Sequence, residues 1–350
     1  MRIAYVKSGD VVAALERLSS SAAEKIDDGG PDAFLGDLLR AMPQESFLLL
    51  GIALVASQNR ADASDSRTRA LTLAAKRRLG VWRNASKVFT ELLRFKPDWI
   101  ICGKCGPTLW GSYLASRVLR VPLFHSRHNW LEEKSLSGRV VTMLDNWIVR
   151  RADAVVCHGP YLKDRLADIG VPRNKTFEFD SGNSTFVDQV MAAEHKSRQE
   201  RNSDQKIVLY AGRIVRQKGV FNHLEACEKL IGSVGDLRLV YAGTGNDLEE
   251  LRDTEVERGL ADHVEFLGRV SHLELGCVMR DSHMVVTPTL NRIPEGRCMF
   301  VMEALAVGTP VIAQDFGPFA YLVRLSVNGV LFEPDSIDEL TECLRSTVEN

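Results

Sequence analysis

The sequence predicts an α/β protein of two Rossmann-like, doubly wound domains. Short β-rich apolar segments alternate with amphipathic segments of about 10–15 residues, which is typical of βαβ units whose parallel sheet is covered on both faces. At 350 residues the chain is long for one core, so two domains are favoured. The polar, aperiodic stretch at 191–206 separates two such regions.

The second region has the clearer pattern. Strands are predicted at 206–213, 237–243, 263–268, 283–289, 310–314 and 329–334, with helices at 220–232, 246–259, 272–281, 298–307 and 336–348. The first region repeats the pattern with strands at 1–6, 47–56, 98–103, 121–128 and 153–159, and with helices at 109–120 and 161–170. We therefore predict domains at 1–190 and 207–350, joined by a linker at 191–206.

Composition narrows the class of protein. The net charge of −2 conceals an asymmetry: residues 1–185 carry 27 Lys and Arg against 20 Asp and Glu, whereas residues 186–350 carry 17 against 26. A basic first half favours an anionic partner. Seven scattered cysteines fit a reducing compartment, and the single CxxC at Cys102 and Cys105 has no second pair with which to hold zinc. The longest apolar run, 47–56, is too short to cross a bilayer and the start is unlike a signal peptide.

Two carboxylates, Glu295 and Glu303, lie in the apolar stretch "RIPEGRCMFVMEALAVGTPVIA". The stretch follows a predicted strand, and a helix starting near Cys298 would offer free N–H groups to a phosphate. Because a bare buried carboxylate costs several kcal/mol, we expect Glu303 to accept hydrogen bonds from a ribose and Glu295 to meet a sugar hydroxyl. A rival interpretation is a glycosidase acid–base pair, which helical spacing disfavours only mildly.

Two cationic side chains lie at and just after the end of the strand predicted at 206–213. Arg213 and Lys218 lie in "AGRIVRQKG", and together they can neutralise a diphosphate whose charge grows in the transition state. The alternative is an ordinary solvated loop. In "AGTGND", Gly243 and Gly245 would let the backbone approach a ligand, but Leu248 stands where a dinucleotide fingerprint has its third glycine, so NAD binding is not expected.

Taken in order, several motifs resemble a known family. They are "AGR-x4-KG", "AGTG", "FLGRV" and "P-EG-x6-EALAVGTPVIA", and weaker similarity runs through "VPLFHSRHNW", "ADAVVCHGPYLKDRLADIGVP" and "DSGNSTF". Together they resemble the donor half of the retaining family-four glycosyltransferases, which have the GT-B fold of two Rossmann-like domains facing a central cleft. The resemblance covers roughly 206–334 and implies a Glu-x7-Glu signature at Glu295 and Glu303.

The resemblance implies a role for each matching position. Arg213 and Lys218 would hold the nucleotide diphosphate, Glu303 the ribose and Glu295 the donor sugar. The loop at Gly296, Arg297, Cys298 and Met299 would lie along sugar and phosphate, and Gly268 and Val270 would border the base. His128 would face the transferred sugar from the first domain. The domain 1–190 would then bind the acceptor and 207–350 the donor.

Some positions depart from the family pattern. The glycine-rich loop after the first strand is reduced to "KSGDVV", where Gly9 and Asp10 would form the acceptor side. Within the signature, Arg297 and Cys298 replace the usual aromatic residue and second glycine. The family retains anomeric configuration by same-face attack, with the leaving phosphate helping to remove the acceptor proton. It needs no metal, and no Asp-x-Asp occurs in this chain.

A basic stretch, 67–96, holds nine Lys and Arg and one acidic residue, Glu91. Its apolar residues roughly trace one helical face, so the stretch could lie on an anionic membrane or pack on its own domain with a solvated basic face. Nucleic-acid binding is not expected, because no recognised module accompanies the charge.

The sequence thus predicts a cytoplasmic glycosyltransferase that requires no cofactor, and one interpretation of the stretch 67–96 associates it with the inner membrane face. Its partners would be a nucleotide-diphosphate sugar and a glycan, lipid-linked or small-molecule acceptor. Two alternatives stay open: a GT-B sugar-nucleotide epimerase, and a degenerate GT-B binding or scaffold protein without turnover.

Overall fold

The computed structural model describes residues 1–8, 10–19, 33–53, 60–62, 67–74, 78–127, 136–178, 184–193, 205–234, 236–290, 298–324 and 326–349. The chain forms two compact units, Met1–Ser181 and Gly182–Asn350. Each unit contains a sheet of mostly parallel strands with helices packed on it.

The first unit has an eight-stranded sheet with the order β3-β4-β2-β1-β5-β6-β7-β8. Every neighbouring pair is parallel except β3 and β4. The strands are β1 Arg2–Ser8, β2 Ser46–Ala53, β3 Arg60–Asp62, β4 Thr68–Ala74, β5 Trp99–Cys102, β6 Leu123–Arg127, β7 Ala154–Cys157 and β8 Thr176–Glu178. The helices are α1 Val11–Ser19, α2 Ala33–Ala41, α3 Arg78–Phe95, α4 Pro107–Leu119, α5 Leu136–Val149 and α6 Pro160–Asp168.

The second unit has a six-stranded sheet, all parallel, with the order β11-β10-β9-β12-β13-β14. Its strands are β9 Lys206–Ala211, β10 Leu237–Ala242, β11 Val264–Gly268, β12 Met284–Thr287, β13 Val311–Gln314 and β14 Gly329–Phe332. Its helices are α7 Ser184–Ala192, α8 Val220–Glu228, α9 Leu248–Glu257, α10 His272–Asp281, α11 Met299–Ala306, α12 Gly317–Arg324 and α13 Ile337–Glu349. The strand order reverses at the neighbours β9 and β12.

Burial on both faces explains why the central strands are continuously apolar. In β9, Val208 and Tyr210 join the core on one face of the sheet, whereas Ile207 and Leu209 join the core on the other. The central strand β1 alternates in the same way between two cores. Successive side chains point to opposite faces, so a strand covered on both sides must be apolar at every position. The predicted α/β fold class is confirmed.

The unit boundary lies between Ser181 and Gly182, earlier than the predicted domain end at 190. The reason is that α7 packs on α10 of the second unit. A Cβ on Gly276 would lie 2.3 Å from Val190 Cγ2, so only glycine permits this contact. Arg280 Nη1 donates to the carbonyl oxygens of Val190 and Ala193 at the end of α7, at 2.5 and 3.1 Å.

The prediction that the apolar residues of 67–96 lie on one helical face is wrong. Residues Thr68–Ala74 form β4, paired with β2 and β3 inside the sheet. Helix α3 does follow, but its apolar residues Val88 and Leu92 are fully buried in the core of the first unit. The apolar face of α3 therefore packs within its own domain, which is one of the two interpretations of this stretch, and does not face a membrane. Among the helices of the described ranges, none is long and apolar enough to cross a bilayer.

A histidine lies without hydrogen bonds in the core of the second unit. His223, on α8, has no exposed surface, and neither of its ring nitrogens has a hydrogen-bond partner among the described residues. Its ring lies edge-on to Tyr241, 5.3 Å between centroids, and near Tyr210. Burial lowers the pKa of His223 from 6.5 to about 3, because the protonated ring would lose its hydration without gaining a partner.

This burial predicts acid sensitivity of the second unit. The unfolded chain protonates His223 below its ordinary pKa of 6.5, while the folded state stays neutral down to about 3. As the pH decreases through that window, the unfolding free energy should therefore fall by about 1.4 kcal/mol for each pH unit. Urea unfolding followed by far-UV circular dichroism should show a shallower pH dependence for His223→Phe than for the parent.

Tryptophan fluorescence is the internal control for this experiment. All five tryptophans lie within residues 1–181, so their unfolding transition should have the same pH dependence in both proteins. Parallel pH profiles for His223→Phe and the parent by circular dichroism would show that His223 does not cause the sensitivity.

Candidate functional site

The candidate site lies at the carboxyl ends of β9, β10 and β11. Parallel strands bring the loops that follow them to one edge of the sheet, and the reversal of strand order beside β9 opens a crevice there. An open pocket of about 430 Å³ occupies this edge. Its lining includes Arg213, Gly243, Thr244 and Val270 from the loops, with Leu275 of α10 and Phe300 of α11.

Glycines allow the loops after β9 and β10 to interlock. A Cβ on Gly243 would lie 1.9 Å from the carbonyl oxygen of Gly212, and one on Gly245 would lie 2.0 Å from that of Ile214. Backbone hydrogen bonds continue between the loops, from Gly212 N to Ala242 O at 2.9 Å and from Ile214 N to Thr244 O at 3.0 Å. In the structure, the close approach predicted for Gly243 and Gly245 is made to this neighbouring loop.

The loop after β11 joins the same network of backbone hydrogen bonds. Gly243 N donates to the carbonyl oxygen of Gly268 at 2.7 Å. Gly268 ends β11 with a φ of 66°, the left-handed region that suits glycine. Val270 follows it and lines the pocket. Three consecutive loops are thus held by backbone groups, which leaves the side chains free to face a ligand.

The two predicted cations follow β9 but differ in position. Arg213 is exposed and lines the pocket. Its carbonyl oxygen accepts a hydrogen bond from the Tyr210 hydroxyl at 2.8 Å, which fixes the backbone at that point. Lys218 ends a short 3₁₀ turn, Arg216–Lys218, and does not line the pocket.

Neighbouring groups hold the turn that carries Lys218 in place. A Cβ on Gly219 would lie 1.9 Å from the carbonyl oxygen of Pro288, in the loop after β12. Leu290 N donates to Gln217 O at 3.1 Å. The backbone N–H of Arg216 donates to Asp247 Oδ2 at 2.5 Å, and its guanidinium pairs with Glu250. The turn is therefore fixed between the loops after β10 and β12.

Glu303, on α11, has a partner that the sequence did not reveal. Its Oε1 lies 2.9 Å from His272 Nε2 at the start of α10, and the two side chains are only 14% and 16% exposed. The His272 ring stacks on Phe186 of α7, with centroids 4.2 Å apart and planes 14° apart. A donor N–H facing the carboxylate lowers the penalty of its partial burial.

The pair lies next to the pocket along both helices. Phe300 and Leu275 line the pocket, and Glu303 and His272 each lie three residues from one of them, about one helical turn. Residues three apart share a helix face. Cys298 precedes α11 in an extended conformation, and Met299 is the first helical residue, as predicted for a loop that leads into a helix N-terminus.

Asp10 has a local structural contact in the first unit. Its Oδ1 accepts hydrogen bonds from the N–H groups of Val12 and Ala13, both at 3.1 Å, and from the Thr72 hydroxyl at 2.7 Å. Asp10 therefore caps α1 and joins it to β4. Its acceptor-side role stays a prediction. The other predicted site residues lie outside the described residues: Gly9, His128, Glu295, Gly296 and Arg297.

Sequence reasoning missed His272 and Phe186, which support Glu303, and also the pocket-lining residues Thr244, Leu275 and Phe300. A signal for His272 was present, because "SHLE" at 271–274 has the form of a capping box, which the structure contains. That motif starts the helix directly after Val270 and so places His272 beside the pocket edge. Phe186 had no such signal, since it lies within 1–190, which was assigned to the other domain, and no helix was predicted where α7 forms.

Comparison with known proteins identifies the class of both units. The protein-family model described as "Glycosyl transferases group 1" matches residues 191–350, and the one described as "Glycosyltransferase Family 4" matches residues 29–177. The structure is similar to that of Anabaena Alr3699/HepE in complex with UDP, with a TM-score of 0.68, 17% identity, and coverage of 100% of this chain and 90% of the other.

Two curated relatives extend the comparison. The alpha-D-kanosaminyltransferase of Streptomyces kanamyceticus is 27% identical over 262 residues, which are 71% of this chain and 67% of the relative. The phosphatidyl-myo-inositol mannosyltransferase of Mycobacterium leprae is 30% identical over 146 residues, 41% of this chain and 38% of the relative. The chain thus spans about two thirds of the first relative and under half of the second.

Because the loops after β9 and β10 interlock, we expect a single added methyl group to destabilise the protein. Gly245→Ala should lower the free energy of unfolding by about 2–3 kcal/mol, because the new Cβ meets the backbone of Ile214 and forces the loops apart. Gly259→Ala is the matched control. Gly259 has a φ of 69° but open space around its Cβ position, so its replacement should cost only about 1 kcal/mol of left-handed strain.

Differential scanning calorimetry of both variants measures the difference. Equal losses for Gly245→Ala and Gly259→Ala would show that the loop after β10 yields easily and that the interlock contributes little.

Proposed function

The chain belongs to the glycosyltransferases of the GT-B fold, and from this premise we propose that it transfers a sugar from a nucleotide-diphosphate donor bound in the pocket of the second unit. The observation that carries the proposal is the position of Arg213 in that pocket, with the paired carboxylate of Glu303 one helical turn from its wall. Pockets at the carboxyl ends of parallel strands are the usual ligand sites of such sheets.

The diphosphate would be held by cations and backbone donors. Arg213 can form two parallel hydrogen bonds to phosphate oxygens, and Lys218 adds a point charge from the adjacent turn. The start of α11, at Cys298 and Met299, contributes helix N–H groups. These groups compensate the negative charge that grows on the leaving phosphate, which is how they would accelerate transfer.

The ribose would meet Glu303. An ionised carboxylate has about four acceptor positions, so Glu303 can accept two ribose hydroxyl donors in addition to the contact with His272. By resemblance, Gly268 and Val270 would border the base; Gly268 ends β11, and Val270 follows it and lines the pocket. Gly243 and Gly245 would act indirectly, by keeping the loops packed closely enough to leave the pocket open.

We further propose the retaining reaction of the family-four enzymes. The bond between the sugar C1 and the leaving phosphate oxygen breaks while the acceptor oxygen attacks C1 from the same face. The leaving phosphate takes up the acceptor proton, so the chain needs no general base and no metal for this step. Glu295, Gly296, Arg297 and His128 are assigned to the donor sugar by resemblance alone, and Gly9 and Asp10 to the acceptor side.

We also propose the class of acceptor and the cellular location of the reaction. A glycan, a lipid-linked acceptor or a small molecule would fit the range of the curated relatives, which include an alpha-D-kanosaminyltransferase and a phosphatidyl-myo-inositol mannosyltransferase. We place the reaction in the cytoplasm, where sugar nucleotides would be available.

Thermal shift with nucleotide sugars tests donor binding. The parent should be stabilised by one of the UDP, GDP or ADP sugars, by about 2.7 kcal/mol at a concentration 100 times the dissociation constant. Glu303→Gln should weaken that binding about 10- to 100-fold, because neutral amide contacts replace charge-assisted hydrogen bonds to the ribose. The exposed Glu257→Gln, on α9, is the matched control and should bind as the parent does.

Product analysis by mass spectrometry then separates the reaction classes. Transfer to an acceptor with retained configuration supports the proposal. An epimerised nucleotide sugar without acceptor, or tight donor binding without turnover, would contradict it.

A separate prediction concerns His272. Removing its donor N–H should let the Glu303 side chain leave its position, so His272→Leu should raise the KM for the donor about five- to tenfold and change kcat less. His272→Asn, which keeps an N–H donor, should recover part of the loss. Steady-state kinetics of the parent and both variants measure this effect. Equal KM values for the parent and His272→Leu would show that the pair only supports the fold.

A further inference from the structure

The first unit presents an apolar surface on α4 and α5. Thirteen large apolar residues of the described chain are exposed, and five of them lie on these two helices, whereas the others are scattered. On α4, Leu114 and Val118 are 56% and 62% exposed. On α5, Val140, Met143 and Trp147 are 48%, 61% and 40% exposed. The spacings are those of residues that share a helix face.

The two stripes are joined across the helix pair. The Tyr113 and Trp147 rings meet edge to face, 5.7 Å between centroids, so the stripes lie side by side. Buried Asp145 fixes the pair, because it accepts hydrogen bonds from Gly106 N at 2.8 Å and Trp110 Nε1 at 2.7 Å on the α4 side. We call Leu114, Val118, Val140, Met143 and Trp147 the α4–α5 surface.

The inner faces of the same helices already supply the domain core. Leu109 and Ala115 of α4 are fully buried, as is Val149 of α5, and all three belong to the main core of the unit. The apolar residues of the α4–α5 surface are therefore additional to those the fold requires. A helix that is apolar on both faces is expected to contact a second partner in addition to the core of its own domain.

The surface has a cationic margin. Arg139 lies one turn before Met143, and the guanidinium of Arg151 stacks over the Trp147 ring at 3.9 Å. Arg117 follows Leu114 on α4, and Arg120 caps the carboxyl end of that helix. Neither helix contains glutamate, and their only aspartate is the buried Asp145. The nearby Asp153 pairs with Arg117 at 3.2 Å, so among the described residues the excess charge of the margin is positive.

We propose that the α4–α5 surface docks on an anionic lipid bilayer. Apolar side chains of helices lying in the interface enter the headgroup region, while arginines reach the lipid phosphates and tryptophan occupies the boundary. Charge complementarity selects this occupant over a second copy of the chain, because a symmetric pairing would bring two arginine margins together. The assignment replaces the membrane contact predicted for 67–96 and is independent of donor binding.

Vesicle co-sedimentation of the full chain tests the proposal. Binding should be strong to phosphatidylcholine vesicles containing about 30% phosphatidylglycerol, weak to phosphatidylcholine alone, and reduced by salt. Arg139→Gln with Arg151→Gln should lower the affinity about 25-fold, at roughly fivefold for each charge. Leu114→Ser with Met143→Ser should lower it at least about tenfold.

Matched controls come from exposed residues elsewhere. Val256→Ser, on α9, removes an apolar side chain that is 68% exposed, and Arg173→Gln removes a cation whose side chain is 74% exposed. Both should bind vesicles as the parent does. Unchanged donor binding in every variant would separate this surface from the donor pocket.

Quenching by brominated lipids locates the contact. The parent should lose tryptophan fluorescence on brominated anionic vesicles, and Trp147→Phe, which keeps an apolar ring, should still bind but lose most of that quenching. Equal binding to neutral and anionic vesicles, or full binding by both double variants, would overturn the proposal. A dimer in sedimentation velocity that Leu114→Ser with Met143→Ser dissociates would overturn it in favour of a second copy.

Discussion

The second unit of this protein depends on backbone packing between the loops after β9 and β10. Gly243 and Gly245 have no side chain where the neighbouring carbonyl oxygens lie about 2 Å from a Cβ position. The loops can therefore exchange main-chain hydrogen bonds beyond the ends of their strands, and Gly268 extends the same network to the third loop. Because main-chain groups hold the framework together, Arg213 and Val270 are available to the pocket.

The second feature on which the site depends is the partner of the Glu303 carboxylate. Glu303 lies in an apolar helix, and burial of a bare charge is costly, so it requires a partner even before any ligand arrives. His272 is that partner, and it is held in turn by the stack with Phe186. The helix bearing Phe186 is the first element of the second unit, so the segment that enters this unit also supports the proposed ribose contact.

The first unit shows where sequence patterns mislead. The basic stretch at 67–96 was correctly recognised as rich in charge and in apolar residues, but its first part completes a parallel sheet and its helix turns its apolar face inward. Five exposed large apolar residues lie instead on α4 and α5, whose sequences look like those of ordinary core helices. Periodicity reports how many faces of a helix are apolar, but only packing decides which face the domain covers.

The sequence by itself determined the alternation of strands and helices, the α/β class and the cations after β9, because these follow from local periodicity and from motifs read within a few residues. Tertiary structure alone decided that Gly243 and Gly245 face another loop, that His272 meets Glu303, and that α7 packs with the second unit. Each of these joins groups far apart in the chain, and such contacts depend on sheet order and helix packing that no local pattern specifies.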